Sequence, residues 1–148
     1  MPGTMQQYKN RDNTKRVCVR ALCIHEGNIL VVKRNNYGEE YMIFPGGGID
    51  NGESNFVAAE RELFEETTVI GKAIKLVATF PAINGESEQR LILCNYLSGK
   101  PLLDPDSEEA KRTDDGKNTY EPLWINIEEW MSSPLVRSGW KDAVSKVQ

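Results

Sequence analysis

The chain has 148 residues, of which 39% are hydrophobic and 27% charged, the mixture of a single globular domain with enough length for a buried core. A formal charge of -4 excludes the basic-surface class of nucleic-acid binder, and no apolar run approaches a membrane span. Three cysteines, Cys18, Cys23 and Cys94, with no CxxC pair, exclude a disulfide framework and a cysteine zinc site; they read as small buried hydrophobes in a reducing cytoplasm.

Residues 1–15 are polar and aperiodic, without a hydrophobic signal region, and read as a flexible tail ahead of a single domain at 16–148. The stretch from Arg16 to His25 is a strand rich in valine and cysteine; Glu26-Gly27-Asn28 is a turn, and Ile29 to Arg34 is a second strand completing a hairpin. Residues 35–40 read as a loop, and Tyr41 to Pro45 as a short strand. Gly46-Gly47-Gly48 reads as flexible and exposed; it costs chain entropy and suggests a special backbone path. Ser54 can cap a helix running to about Glu66 or Thr67, with Phe56, Val57, Leu63 and Phe64 in one sector at the helical period. Glu62, Glu65 and Glu66 fall in the opposite sector. Two more strands follow, Ala73 to Phe80 and Arg90 to Leu97, joined through Pro81 and Asn84-Gly85. A charged loop spans Asp104 to Asn118, and Glu121 to Ile127 is a last strand. A short helical turn and a C-terminal helix close the chain, with Pro134 suited to its first turn. This order fits an α/β sheet with helices on both faces.

Two glycine motifs fail on inspection. Gly71-Lys72 is followed by Ala73, so there is no Walker A loop, and Asn51 stands where a dinucleotide-binding loop needs its last glycine. The Asp104 loop lacks the glycine and glutamate of a calcium loop. The glutamate cluster is different. Negative charge at a helix C-terminus opposes the helix dipole, and Glu62 and Glu66 are a like-charge i,i+4 pair. A solvated face with an Arg61–Glu65 pair is the bland reading. Three carboxylates within one turn also raise one another's pKa unless a cation joins them, and their oxygens suit Mg²⁺ or Mn²⁺.

Gly47, five residues, Glu53, seven residues, then Arg61-Glu62-Leu63-Phe64-Glu65-Glu66 resembles the box of the Nudix family, which is MutT-like. Six fixed identities at about 7% each match by chance in roughly one window in ten million. The departure is Thr68, where the family usually has a glycine that permits a left-handed turn; threonine is strained there, and the helix exit is expected to differ.

The resemblance implies the Nudix fold, an α/β/α sandwich with a mixed β-sheet and a catalytic loop–helix motif. It implies a cytoplasmic, Mg²⁺- or Mn²⁺-dependent pyrophosphohydrolase cleaving a nucleoside diphosphate linked to another group: a nucleoside triphosphate, ADP-ribose or a nucleotide sugar. Carried over by position, Glu62, Glu65 and Glu66 hold the metal together with the Gly47 carbonyl, Arg61 braces Glu65, and Glu53 supports the loop–helix junction. Glu62, Glu66, Arg61 and Glu53 are thus the catalytic set. The water-activating group is Glu62 or Glu66, or an acid of the later loop: Glu108, Glu109, Asp114 or Asp115. The expected partner is a small nucleotide-diphosphate substrate, with no nucleic-acid polymer and no membrane, and a homodimer is left open. An inactive or weak nucleotide-binding sensor on the same fold is the alternative. Substrate-binding residues are unassigned. Arg16, Arg20, Lys33, Arg34 and Arg90 are candidates for phosphate, and Tyr37, Tyr41, Phe80 and Trp124 for a base. Of the family's downstream substrate markers, a proline and a tyrosine, Pro81 is suggestive without deciding the substrate, and no tyrosine follows the box until Tyr96.

Overall fold

The computed structural model describes residues 16–81, 87–112 and 116–148. The expected tail, the turn at Asn84-Gly85 and the acids Asp114 and Asp115 lie outside these residues. The described strands are β1 (Arg16–His25), β2 (Asn28–Asn36), β3 (Glu39–Ile43), β4 (Gly46–Gly48), β5 (Ile70–Pro81), β6 (Ser87–Ser98) and β7 (Asn118–Asn126). The helices are α1 (Asn55–Thr67), α2 (Glu108–Lys111), α3 (Ile127–Ser132) and α4 (Ser138–Ser145). No helix among the described residues is long and apolar enough to cross a membrane.

All seven strands join one mixed sheet. β1 lies at its centre, parallel to β6 from Arg16↔Ser87 to Ile24↔Asn95. Its other side pairs antiparallel with β4 and with the start of β2. β7 runs the length of β2, and β5 lies outside β6. Side chains alternate across the sheet with a period of two, so β1 supplies both cores. Val19, Ala21 and Cys23 meet Ala58, Ala59 and Leu63 of α1 on one face. Leu22 lies on the other face with Trp130 of α3 and with Ala143 and Val144 of α4. The mixed α/β sandwich expected from the sequence is therefore the architecture. The cysteines are buried and unpaired, and burial pushes the Cys23 and Cys94 thiols up to about 12, leaving them inert.

Four local expectations are corrected. The first concerns residues 35–40, read as a loop: most of them are strand, because Asn35 and Asn36 pair with Glu40 and Glu39 around a Tyr37-Gly38 turn. The second concerns the three glycines, which form strand β4. A Cβ at Gly46 would stand 2.0 Å from the Val19 carbonyl oxygen, so only glycine lets this strand lie so close to β1. The third concerns α1, whose apolar sector does not face the core. Phe56, Val57 and Phe64 are exposed, while Ala58, Ala59, Leu63 and Thr67 are buried. Small side chains bring the helix down onto the sheet, and a Cβ at Gly71 would stand only 2.7 Å from Leu63 Cδ2. The fourth concerns Pro134, which precedes the last helix rather than opening it. The Leu135 carbonyl accepts the Met42 N–H at 3.1 Å, tying this segment to β3, and α4 begins at Ser138.

Candidate active site

The site forms where β4 passes beneath α1. Ser54 caps the helix as expected, its Oγ accepting the Val57 N–H at 3.1 Å. Downstream, Glu62 and Glu66 point back toward the glycine strand. Glu66 Oε1 accepts the Gly46 N–H at 3.0 Å. Glu62 lies over Gly47 so closely that a Cβ there would stand 2.6 Å from its Oε2. Two adjacent glycines thus have separate duties: Gly46 allows the backbone to meet β1, and Gly47 leaves room for a carboxylate.

Arg61 ties the loop to the helix with five donated hydrogen bonds. Two go to the Glu53 carboxylate at 2.7 and 2.9 Å, and one to the Gly48 carbonyl at 3.0 Å. The remaining two reach Glu62 Oε2 and Glu65 Oε1, each at 3.0 Å. A guanidinium has five N–H donors in a fixed fork, so this set uses them all. The bonds from Arg61, with the Asp50 N–H, hold the Glu53 carboxyl below its ordinary value, and the same contacts raise the Arg61 pKa. Glu53 and the Gly48 carbonyl are thus linked to the helix through Arg61.

The three glutamates are not equivalent. Glu65 is turned toward Arg61, and its side chain is 53% exposed. Glu62 and Glu66 form the inner pair, and burial is the main force raising both pKa values. Mutual repulsion, the cause expected from the sequence, is the lesser one. Glu66 is lifted to about 8: desolvation leads, the Gly46 N–H and Arg20 oppose it, and Glu109 and Glu62 add to it. Among the described residues, no three acidic, histidine or cysteine side chains converge as a ready-made metal cage. A divalent cation nevertheless fits the donor chemistry. Two partly buried carboxylates share too little positive charge, Arg61 being spent on Glu53 and Glu65 as well, and hard oxygen donors are what Mg²⁺ and Mn²⁺ take.

Of the described later-loop acids, Glu109 on α2 acts by its charge on both Glu62 and Glu66. Glu108 is exposed. The candidate substrate residues separate by sheet face. Phe80 lies on the far face, its ring 4.5 Å from that of Trp140, which removes it from the site. Arg20 donates to Gln89 and to the Phe44 carbonyl, and Arg90 to Glu88 and Asn55, so both are already engaged. Trp124 packs edge-on to Tyr96 against the α1-side core. Arg34 is opposite both Tyr41 and Tyr120 in register, and by alternation from Leu30 it shares the α1 face. Its guanidinium lies 3.8 Å from the centre of the Tyr120 ring and donates to the Tyr41 hydroxyl. The sequence named Arg34 and Tyr41 singly. Tyr120 was missed, because the row exists only across three strands.

The helix exit is the one a glycine would take. Thr68 is left-handed, with φ 60° and ψ 6°, and its N–H bonds the Phe64 carbonyl at 2.8 Å. The expectation of a different exit is therefore wrong. The strain is accepted, and the threonine hydroxyl donates to the Lys100 carbonyl at 2.7 Å.

The site is thus a metal-suited carboxylate pair on a helix, set against a glycine strand and locked by one arginine, on a mixed α/β sandwich. The NUDIX domain family model matches residues 14–141, and the chain belongs to that family. It is similar to the RNA pyrophosphohydrolase of Vibrio cholerae, 43% identical over 58 residues, covering 39% of this chain and 33% of that protein. It is also similar to the RNA pyrophosphohydrolase of Rhodopseudomonas palustris, 33% identical over 83 residues, covering 52% of this chain and 47% of that protein. The chain thus spans a third to a half of the length of these curated relatives. Among solved structures, the MutT NUDIX hydrolase of Burkholderia pseudomallei superposes with a TM-score of 0.68 at 23% identity, over 91% of this chain and 99% of that one. An ADP compounds hydrolase gives 0.69 at 18% identity, over 90% and 72%. At such identities the likeness is one of fold.

Proposed function

We propose that residues 16–148 act as one Nudix domain, a Mg²⁺- or Mn²⁺-dependent hydrolase of a nucleoside diphosphate linked to another group. The observation that carries this reading is the inner pair, Glu62 and Glu66, buried against the Gly46-Gly47 backbone with Arg61 at its side. Glu62 and Glu66 would hold the metal, with the Gly47 carbonyl and Glu65 at its margin. A divalent ion bound there supplies charge neutralisation of phosphate oxygens and a more acidic water. Arg61 and Glu53 keep the carboxylates and glycine strand in register, which is the positioning on which phosphoryl-transfer catalysis chiefly depends.

For the water-activating group, Glu109 is, among the described loop acids, the one whose charge acts on both inner carboxylates. It would orient the attacking water and accept its proton, with Glu66 as the alternative acceptor. The Tyr41–Arg34–Tyr120 row, on the same sheet face as α1, is the proposed seat of the nucleoside end. Stacking on an aromatic or guanidinium plane suits a base. A cytoplasmic location belongs to the same reading and is supported by three unpaired cysteines.

The test is a substrate panel with Mg²⁺ or Mn²⁺: nucleoside triphosphates, ADP-ribose, nucleotide sugars, dinucleoside polyphosphates and an RNA bearing a 5′-triphosphate. Metal-dependent release of phosphate or pyrophosphate products from a small nucleotide supports the reading. Preference for the RNA would move it to the activity named for the relatives. Absence of turnover across the panel, with ligand still bound, would leave the sensor alternative.

A further inference from the structure

Thr68 stands where a glycine would adopt the same backbone without strain. Any residue with a Cβ is disfavoured in the left-handed region, and a β-branched one most of all. Stability of the helix exit therefore argues against threonine here, and its one distinctive contact is the hydroxyl bond to the Lys100 carbonyl. That bond is part of a lace. The Thr67 carbonyl accepts the Leu102 N–H at 2.9 Å, and the Tyr96 hydroxyl donates to the Gly99 carbonyl at 2.8 Å. Gly99 has φ 99°, and a Cβ on it would stand 2.7 Å from the Thr68 carbonyl oxygen. The segment leaving β6 is thus pinned to the end of the carboxylate-bearing helix by two hydrogen bonds, with Gly99 packed closely against the Thr68 carbonyl.

From there the chain reaches α2 by a short braced path. The Ser107 N–H donates to the Asp104 carbonyl at 2.9 Å, and Ser107 Oγ accepts the Ala110 N–H at 3.1 Å, capping α2. The second residue of α2 is Glu109. A shift at Lys100 therefore has little slack to absorb it before it reaches Glu109, whose charge acts on Glu62 and Glu66.

We propose that Thr68 is a positioning residue, whose hydroxyl fixes the 99–112 segment against α1 and so sets where Glu109 stands relative to Glu62 and Glu66. The catalytic consequence rests on the role proposed above for Glu109; the tether does not. Thr68→Gly removes the hydroxyl together with the backbone strain, and Thr68→Ser keeps the hydroxyl. Both are made in the wild-type chain and in Glu109→Gln. The measurements are kcat and KM with the substrate found in the panel, thermal unfolding, and amide hydrogen exchange over residues 100–112.

Thr68→Gly is expected to keep its melting temperature, to exchange faster over 100–112, and to lose about tenfold in kcat with KM little changed. Thr68→Ser restores slow exchange and most of kcat. In the Glu109→Gln background Thr68→Gly adds no further loss, because the two residues act as one unit. Unaltered exchange over 100–112 in Thr68→Gly overturns the tether. An equal kcat loss with and without Glu109 overturns the route through Glu109. Wild-type turnover by Glu109→Gln alone would remove Glu109 from the mechanism, and the exchange result would still decide the tether by itself.

Discussion

Glu66→Gln isolates the energetic consequence of burying a carboxylate where no cation is yet bound. In the folded, metal-free protein Glu66 keeps its proton up to about 8, whereas its ordinary value is 4.5. Between those values the unfolded chain binds fewer protons than the folded one, so stability falls as pH rises. The contribution is complete below about 4.5 and gone above about 8. That interval of about 3.5 pH units, at about 1.4 kcal/mol each, sets a ceiling of about 5 kcal/mol. Relaxation and water entry around the carboxylate bring the expected size to about 2–4 kcal/mol. Glutamine keeps the shape and the acceptor for the Gly46 N–H but has no charge to lose. Denaturant unfolding in EDTA, from pH 5 to pH 8.5, should therefore show the variant gaining on the wild type by about that amount. Adding Mg²⁺ at pH 8 should reverse the order, since a metal replaces the proton on Glu66. A difference between the two proteins that stays flat across this range would refute the argument that burial raises Glu66. Equal stabilisation of both by Mg²⁺ would remove Glu66 from the metal set.

The two neighbouring glycines should fail in different ways. Gly46→Ala drives a Cβ to 2.0 Å from the Val19 carbonyl, a backbone atom with nowhere to go, and should cost about 3 kcal/mol or prevent folding. Gly47→Ala meets only the far end of Glu62, so the melting temperature should hold within a few degrees while turnover falls at least about tenfold. Arg61→Lys cannot reproduce the five-donor fork and should reduce kcat/KM by about a hundredfold, measured at saturating and limiting Mg²⁺. Leu63→Ala should destabilise by about 2–5 kcal/mol, whereas Phe64→Ala should change stability by no more than about 0.5 kcal/mol, as read by denaturant unfolding.

What was legible in the sequence is what is local. The box residues lie within one helix and the loop before it, and the i,i+4 spacing of Arg61 and Glu65 predicts a pair that forms; the bonds of Arg61 to Glu53 and Glu62 were not foreseen. The richness of Arg16 to His25 in valine and cysteine predicts a strand, and Val19 and Leu22 of that strand occupy the two cores. The rest depends on contacts remote in sequence. The hydroxyl of Thr68 finds a carbonyl 32 residues away, and no spacing rule reaches that far. Strand β4 has no side-chain pattern to read, because it consists of three glycines. Tyr120 joins Arg34 only because β7 runs beside β2.

The face of α1 is the instructive failure. Hydrophobicity places Phe56, Val57, Leu63 and Phe64 in one sector of the helix, and burying Phe56, Val57 and Phe64 with Leu63 would have contributed about 1.5–3 kcal/mol each. At about 100° per residue, however, Phe64 lies about 160° around the helix from both Glu62 and Glu66. The helix cannot turn Phe64 to the sheet and also present those two carboxylates to the glycine strand. The observed rotation presents the carboxylates, leaves Phe64 50% exposed, and seats the helix on Ala58, Ala59 and Leu63. Alanine is the residue that makes this possible, since a larger side chain there would lift Glu62 away from Gly47 and Glu66 away from the Gly46 N–H. An apolar stripe left in solvent beside a buried acidic pair is thus a single observation, and it locates the site more directly than either half does alone.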